Sequence, residues 1–389
     1  MKLLPFDYAV RNLGRSPARL ALSLVGSTLV VLLALLAGGF VQGMTRSLVA
    51  GGSERNVILL GAGSEESVER SEIGMNVPGL LQASVPGIRQ RLGVAYISPE
   101  VHLQTTVQAE RDSPRAPQAL VRGVTPSAFL VHQQARITEG RMPSAGRDEI
   151  VVGALAAEKL GLPESRLAPG RTLHFNERDW TIVGRFEAPG SVMESEIWAP
   201  LTDMQIAAKR DNLSCVVATL GEEAMFDDVD VFTKQRLDLE LVALRESDYY
   251  GKLAAFFSPI RAMVWATAIL IASGGVLGGL NTMYAAFASR VREVGALQAI
   301  GFSRRAIVVS LVQESLLASA AGTLLAVALA LLLLDGLTVS FSMGVFGLQI
   351  DPMVLTIGLG VGLALGLIGA LPPAARCLRL PITDALKAA

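Results

Sequence analysis

The chain has 389 residues, 51% of them hydrophobic and 18% charged, with a formal net charge of −1. About a quarter of an ordinary soluble chain is charged, so this composition excludes a simple soluble globule. The mean hydropathy of +0.45 agrees, and the near-neutral balance offers no strongly basic surface for nucleic acid.

The deficit of charge is localised. Leu20–Val41, Ala262–Ser289, Ser315–Leu334 and Pro352–Ala375 contain no Lys, Arg, Asp or Glu, and each can cross ~30 Å of hydrocarbon as a helix. The fold class that follows is an α-helical membrane protein with four transmembrane helices plus a large extracytoplasmic mixed α/β domain inserted between helices one and two. Orientation follows from the basic residues. Lys2, Arg11, Arg15 and Arg19 precede the first run, Arg290, Arg292, Arg304 and Arg305 lie between the second and third, and Arg376, Arg379 and Lys387 follow the fourth. Basic short segments stay in the cytoplasm, so both termini are expected on the cytoplasmic side and the large domain outside.

The expected organisation in chain order is a cytoplasmic amphipathic lead at 1–19, helix one at 20–41 and the extracytoplasmic domain at 42–261. Helix two at 262–284, a cytoplasmic turn at 285–305 and helix three at 306–334 follow. An outer loop at 335–351, helix four at 352–375 and a cytoplasmic tail at 376–389 complete the chain.

Within the lead, Pro5–Ser16 mixes Phe6, Tyr8, Val10 and Leu13 with Asp7, Arg11 and Arg15. It reads either as an interfacial helix or as a polar lead-in with stop-transfer arginines. Helix one mimics a signal peptide, but its apolar core is longer than an h-region and no Ala-x-Ala site follows. It is expected to be retained.

In the outer domain, strands are expected at Asn56–Leu60, around Arg91–Ile97 and Val101–Val107, and at Leu120–Val124 and Glu149–Val152. Further strands are expected at Arg171–Phe175, Asp179–Phe186, Glu196–Ala199 and Ser214–Leu220. Gly61–Ser71 reads as a mobile polar loop, Glu110–Gln118 as a connection, Ala154–Leu160 as a helix closed by Gly161, and Thr233–Arg245 as a helical run. The stretch 119–205 is expected as a distal insert, with 50–110 and 210–250 nearer the membrane. Cys215 lies in this domain and Cys377 at the inner end of helix four, so the two cannot pair within one chain. His102, His132 and His174 lack metal-ligand spacing and are expected at the surface or in hydrogen bonds.

Gly274, Gly275, Gly278 and Gly279 place small residues at i, i+4 in helix two. In lipid that spacing lets helix backbones approach, each contact being worth on the order of 1 kcal/mol. Gly358, Gly360, Gly362, Gly366 and Gly369 extend the tendency into helix four, and the uncharged 336–350 loop is expected at the outer surface or against the outer domain. Glu314, with Gln313 beside it, falls in apolar surroundings ~13 Å beyond Arg305 along a helix. It reads as a polar anchor bonded to the turn, Arg290 or Arg304, or alternatively as a proton-relay acid. No Gly-x-x-x-x-Gly-Lys-Ser/Thr, His-Glu-x-x-His, Cys-x-x-Cys or Gly-x-Ser-x-Gly occurs. Catalytic, cofactor and metal sites are therefore not expected, and a powered process needs energy from another chain.

Asn281-Thr282-Met283 together with Arg292-Glu293-Val294-Gly295-Ala296-Leu297-Gln298-Ala299-Ile300-Gly301 resembles the signature of FtsX-like, or MacB-type, ABC transporter permeases. Ala9–Leu13, Gln313-Glu314-Ser315 and Leu380–Leu386 support the resemblance, as do Glu139-Gly140-Arg141, Glu149–Gly153 and Thr181–Gly184 in the outer domain. Ser289 departs from the acid often found before the signature arginine. The resemblance implies an assembly of two permeases, homodimer or related heterodimer, with cytoplasmic ABC ATPases that bind ATP and Mg²⁺. Arg290, Arg292, Glu293, Gly295, Leu297, Ile300 and Gly301 would form the ATPase-coupling segment. The outcomes implied are export through a periplasmic adaptor and outer-membrane channel, lipoprotein extraction, or control of a cell-wall hydrolase.

Overall fold

The computed structural model describes residues 6–15, 17–111, 116–288, 290–342 and 344–377. Residues 43–258 with 338–347 form one unit, and 1–42, 259–337 and 348–389 form the other. The Leu380–Leu386 motif and Ser289 lie outside the described residues, as does part of the 110–118 connection.

The outer unit is built on strands β1 (Asn56–Gly61), β2 (Gln90–Arg91), β3 (Val94–Ala95), β4 (Ile97–Thr106), β5 (Gln118–Val124) and β6 (Arg136–Gly140). It continues through β7 (Glu149–Gly153), β8 (Thr172–Phe175), β9 (Arg178–Glu187), β10 (Ile197–Pro200), β11 (Cys215–Thr219) and β12 (Leu241–Arg245). A ten-stranded mixed sheet runs β12-β1-β11-β4-β5-β10-β7-β9-β6, with β8 on β9. Strand β4 unites its two halves. Ile97–Glu100 pair with β11 and Val101–Thr106 with β5, so the strands of the 119–205 stretch prolong one sheet. Helices α1 (Val77–Ser84), α2 (Ala128–Val131), α3 (Ala156–Leu160), α4 (Leu201–Ala208), α5 (Phe226–Gln235) and α6 (Glu246–Phe256) complete the unit. Its apolar core includes Val57, Leu59, Val121, Ile150, Trp180, Ile182 and Ile197. Trp180 stacks on Phe175 at 4.8 Å between ring centroids.

One expected helix divides. Thr233–Arg245 holds only the end of α5, then a 3₁₀ turn at Leu237–Leu239 and the edge strand β12. Glu240 takes φ +48°, which ends the helical path, and Leu241 and Ala243 alternate into the core against β1. Sheet pairing overrides the local helical preference. The Gly61–Ser71 stretch likewise contains a 3₁₀ turn at Val68–Arg70, with Val68 and Ser71 buried.

Residues 338–347 form a hairpin, β13 (Thr338–Ser340) and β14 (Val345–Gly347), within the outer unit. Lys159 Nζ donates to the carbonyls of Phe341 (2.5 Å) and Ser342 (3.0 Å). Phe341 sits edge-on between Phe257 and Phe346. A Cβ on Gly344 would come within 2.7 Å of Ser195 Oγ, so the backbone approaches closely there.

The membrane unit carries four helices long and apolar enough to span: Leu20–Val49, Ser258–Ala285, Arg304–Leu334 and Pro352–Ala375. The first is the apolar part of a helix beginning at Pro17, and a short amphipathic helix, Phe6–Gly14, precedes it. Close approaches concentrate on the third and fourth. A Cβ at Gly322 would strike Ser27 Oγ, one at Gly362 would strike Thr323 Oγ1, and Gly358 lies against Leu35. Thr28 Oγ1 donates to Gly322 O (3.1 Å) and Ser319 Oγ to Gly362 O (2.6 Å). Small residues bring backbones within reach of interhelical hydrogen bonds, as lipid surroundings favour.

Candidate functional site

The inner turn is built around a nine-residue helix, Val291–Ala299. Its apolar positions are Val291, Val294 and Leu297, spaced for one helical face. Val294 is buried with Ile307, Leu311 and Ala374, and Leu297 packs on this cluster. Gly301, at φ +99°, then turns the chain in a backbone region that favours glycine. The next helix starts at once, with Ser303 Oγ accepting from Ala306 N.

Glu314 fixes this turn from within. Arg290 Nη1 donates to both Glu314 oxygens, at 3.2 and 2.9 Å, and Asn12 Nδ2 donates to Oε2 at 2.6 Å. Arg290 and Glu314 are each about nine-tenths buried, and a carboxylate at such depth needs partners of this kind. Gln313 is half-buried beside it. Gly295 is buried, whereas Arg292, Glu293, Ala299, Ile300, Gly301, Arg304 and Arg305 are exposed. Ile300 is 76% exposed, an apolar knob among charges, and Arg15 approaches Glu293 at 3.8 Å.

The four helix-two glycines divide. Gly275 meets Val30, whereas Gly274, Gly278 and Gly279 meet no described atom within 4 Å of an added Cβ. Gly275, Gly278 and Gly279 line an apolar cavity of about 340 Å³ shared with Ser27, Val30, Ser319 and Gly366.

A second constellation, in the outer unit, was not legible from spacing. Arg122 on β5 is fully buried and donates twice to Glu196 (Nε–Oε2 2.8 Å, Nη2–Oε1 2.7 Å) and once to Glu100 Oε2 (2.9 Å). His102 Nε2 lies 2.9 Å from the same Glu100 oxygen, and His132 Nε2 lies 2.7 Å from Oε1. Trp198 Nε1 donates to Glu196. His102 and His132 are thus interior residues, and only His174, bonded to Asp179, keeps partial exposure. Burial pushes the Glu100 carboxyl up, but His132 and Arg122 outweigh it and hold that group well below the usual range. Burial, then Arg122, pushes His102 down. Cys215 is pushed well up, first by burial and then by Glu100.

Glu100, His102 and Cys215 bring ligand-type atoms within 4.8 Å of one another. The fit to a metal ion is poor. The Glu100 oxygen that would bind it already meets His102 and the Arg122 guanidinium, so a cation would stand beside a fixed positive charge.

Comparison with known proteins gives these elements a family. The profile of the MacB-like periplasmic core domain matches residues 20–230, and that of the FtsX-like permease C-terminal region matches residues 265–382. The macrolide export ATP-binding/permease protein MacB of Bradyrhizobium diazoefficiens is 26% identical over 271 residues, covering 64% of this chain. The chain spans 41% of that relative's length. Among solved structures, the periplasmic region of MacB from Actinobacillus actinomycetemcomitans overlays with a TM-score of 0.39 at 11% identity, over 52% of this chain and 94% of that one. The extracellular domain of the ABC-type transporter YknZ from Gram-positive bacteria gives 0.38 at 12%, over 49% and 99%. With both profiles in chain order, four apolar helices and the extracytoplasmic domain between the first two, the chain belongs to the FtsX-like permeases with a MacB-like periplasmic core domain, ABC transporter permeases of the inner membrane.

Proposed function

We propose that this chain takes up movement from a separate cytoplasmic ABC ATPase through the Arg290–Gly301 turn and passes it to the outer domain, driving export or extraction of a substrate on the far side of the membrane. The observation that carries this reading is the two-faced turn helix. Val291 and Val294 are buried in the membrane unit, while Arg292, Glu293 and Ile300 are presented outward. A helix pinned by Arg290 and Glu314 can transmit a push without sliding. ATP and Mg²⁺ belong to the partner in this reading, and both termini lie on the ATPase side.

The second membrane helix supports pairing with another permease chain. None of its most apolar 18-residue window is buried within this chain, which leaves an apolar length for a partner helix or lipid to cover. An adaptor with an outer-membrane channel would serve export. Crosslinking from 119–205 to a cell-wall hydrolase would instead assign the regulatory role.

The test is copurification of the nucleotide-hydrolysing subunit with Ile300→Asp and Glu293→Arg. Both positions are exposed, so folding and insertion should persist while ATPase recovery falls at least about tenfold, equivalent to ~1.4 kcal/mol. Undiminished recovery would remove the turn from the interface.

A further inference from the structure

The outer unit buries Glu100 and Glu196 against one guanidinium, Arg122, and a third carboxylate, Glu246, is buried close by without an ion pair to it among the described residues. Arg122 is committed to Glu196 and to one oxygen of Glu100. The remaining negative charge faces His132, whose ring is fully buried at the end of α2. Its Nε2 lies 2.7 Å from Glu100 Oε1 on β4, and its Nδ1 lies 3.6 Å from Glu246 Oε1 at the start of α6. Both ring nitrogens therefore look at carboxylates. A neutral imidazole has one N–H, so with Nε2–H given to Glu100 the Nδ1 lone pair would confront the Glu246 carboxylate. Protonating Nδ1, or the acid opposite it, turns that repulsion into attraction.

The other Glu246 oxygen accepts from Asn56 Nδ2 (2.8 Å) and from Ser53 N (3.0 Å), which aims the carboxyl. Asn56 is itself held by Thr219. The charged and titratable groups of the surrounding elements are Glu100 and His102 on β4, Arg122 on β5, Glu196 just before β10, Cys215 on β11, and Glu246, Tyr249 and Tyr250 on α6. Of these, Glu100, Glu246 and Arg122 act on His132. The Trp198 ring stands edge-on to the imidazole at 6.1 Å.

We propose that the His132–Glu246 contact is a proton-operated latch that fastens α6 to the sheet and loosens when the proton leaves. The segment it fastens continues in sequence, after Phe257, into the second membrane helix. Grip on that lead would then follow the acidity of the compartment the outer domain faces. Burial pushes His132 down, but Glu100 and Glu246 more than reverse this and leave it raised. Glu246 is raised as well, chiefly by burial. Both shifts favour a proton on this pair. A raised folded-state pKa contributes stability fully present below the unfolded value, about 6.5 for histidine, and lost as pH rises through the folded value. The latch is closed under mildly acidic conditions and opens on the alkaline side, independently of any ATPase.

The test is hydrogen–deuterium exchange of the 246–256 peptide in the full-length chain in lipid nanodiscs, from about pH 6 to about pH 9, corrected for intrinsic exchange. Protection should be level at the acid end and fall by up to about tenfold per pH unit above the midpoint, with the β7 peptide following no such slope. His132→Gln keeps a donor toward Glu100 but cannot titrate, so its protection should be low and flat. Glu246→Gln keeps acceptance from Asn56 and Ser53 and offers Nδ1 an amide donor, so its protection should be high and flat. Should either variant not fold, the other and the wild-type profile suffice. A level wild-type profile, or a slope that persists in a folded variant, overturns the proposal.

Discussion

Two of the buried carboxylate centres among the described residues solve one problem differently. In the membrane unit the acid Glu314 is paired with the cation Arg290 and the amide Asn12, an ion pair of equal and opposite charge. In the outer unit Glu100 and Glu196 share one arginine, Arg122, while a third acid, Glu246, faces His132 instead. Where no water can relax around a charge, an ion pair is closed by one partner of opposite sign. A soluble domain can instead keep an excess of acid if a proton stands in for the missing cation. The first centre is suited to holding a fixed geometry, the second to changing its charge.

The difference is sharpest on truncating the cation. Arg122→Leu would remove the one guanidinium bonded to both Glu100 and Glu196, leaving only His102, His132 and Trp198 as their partners, and breaking a buried pair costs about 3–5 kcal/mol. That is a large share of the stability of any single domain. We expect the outer unit to be lost or strongly shifted in chemical unfolding followed by the fluorescence of Trp180 and Trp198. A shift below about 1 kcal/mol would mean the acids are already neutral.

Glu314→Leu should be milder. It strands Arg290, whose side chain is about one-tenth exposed and can turn toward the inner surface, as long basic side chains do. About 1.5–3 kcal/mol of charge-assisted hydrogen bonding is removed. Exchange in 291–300 should accelerate roughly ten- to hundredfold, while 56–61 in the outer unit stays unchanged. Equal acceleration in both would end the distinction between a local pin and a global support.

These two centres also mark how far sequence reasoning reaches. A lone acid in an apolar run stands out, because hydrocarbon admits few explanations for it, so Glu314 reads from sequence as an anchor to the turn, Arg290 or Arg304, and the choice of Arg290 is tertiary. Ser98, Glu100 and His102 alternate with Ile97 and Val101, the pattern of a half-solvated strand. What buries that polar face is tertiary. Glu100, Arg122, His132 and Glu246 come together from positions far apart in the chain, and α6, which supplies Glu246, packs on β1 and β12. Most outer-domain strands were recovered because alternation and glycine turns are local, whereas β6, β13 and β14 were not anticipated. Strand β12 was missed because its partner β1 is nearly two hundred residues away. Gly358, Gly362 and Gly366 repeat at i, i+4, i+8 and meet Leu35, Thr323 and Leu316. The i, i+4 spacing in helix two instead leaves Gly274, Gly278 and Gly279 open. Spacing can identify a face that permits close approach without saying which helix takes it.

Cys215 supplies a smaller test of whether the outer centre opens. The thiol is buried, and burial followed by the charge of Glu100 pushes it well up, so both access and thiolate are suppressed. On a Cys377→Ser background, maleimide should label it more slowly than an exposed thiol by on the order of a hundredfold or more, since reaction waits for opening. The same rate should rise with pH faster than free thiol chemistry explains if the His132–Glu246 proton controls the opening. A rate that follows thiol ionisation alone would confine the response to α6.

The smallest expected effect concerns Lys159, a cation that answers to no carboxylate in the hydrogen bonds it makes here. Its ammonium is half-buried against the Phe341 and Ser342 carbonyls, and burial lowers its pKa. Partial negative charge on two carbonyls is a weaker counterpart than a carboxylate, so the contribution belongs near the ordinary hydrogen-bond scale of ~1 kcal/mol. Lys159→Met keeps the aliphatic stem and removes the donors, and should raise exchange in the 338–347 hairpin by about fivefold while leaving overall unfolding nearly unchanged. The Phe257–Phe341–Phe346 contacts remain to hold the hairpin, which limits the loss. If the hairpin instead became freely exchanging, Lys159 rather than the aromatic contacts would be its main attachment, and a single neutral-partnered cation would rival the ion-paired centres in consequence.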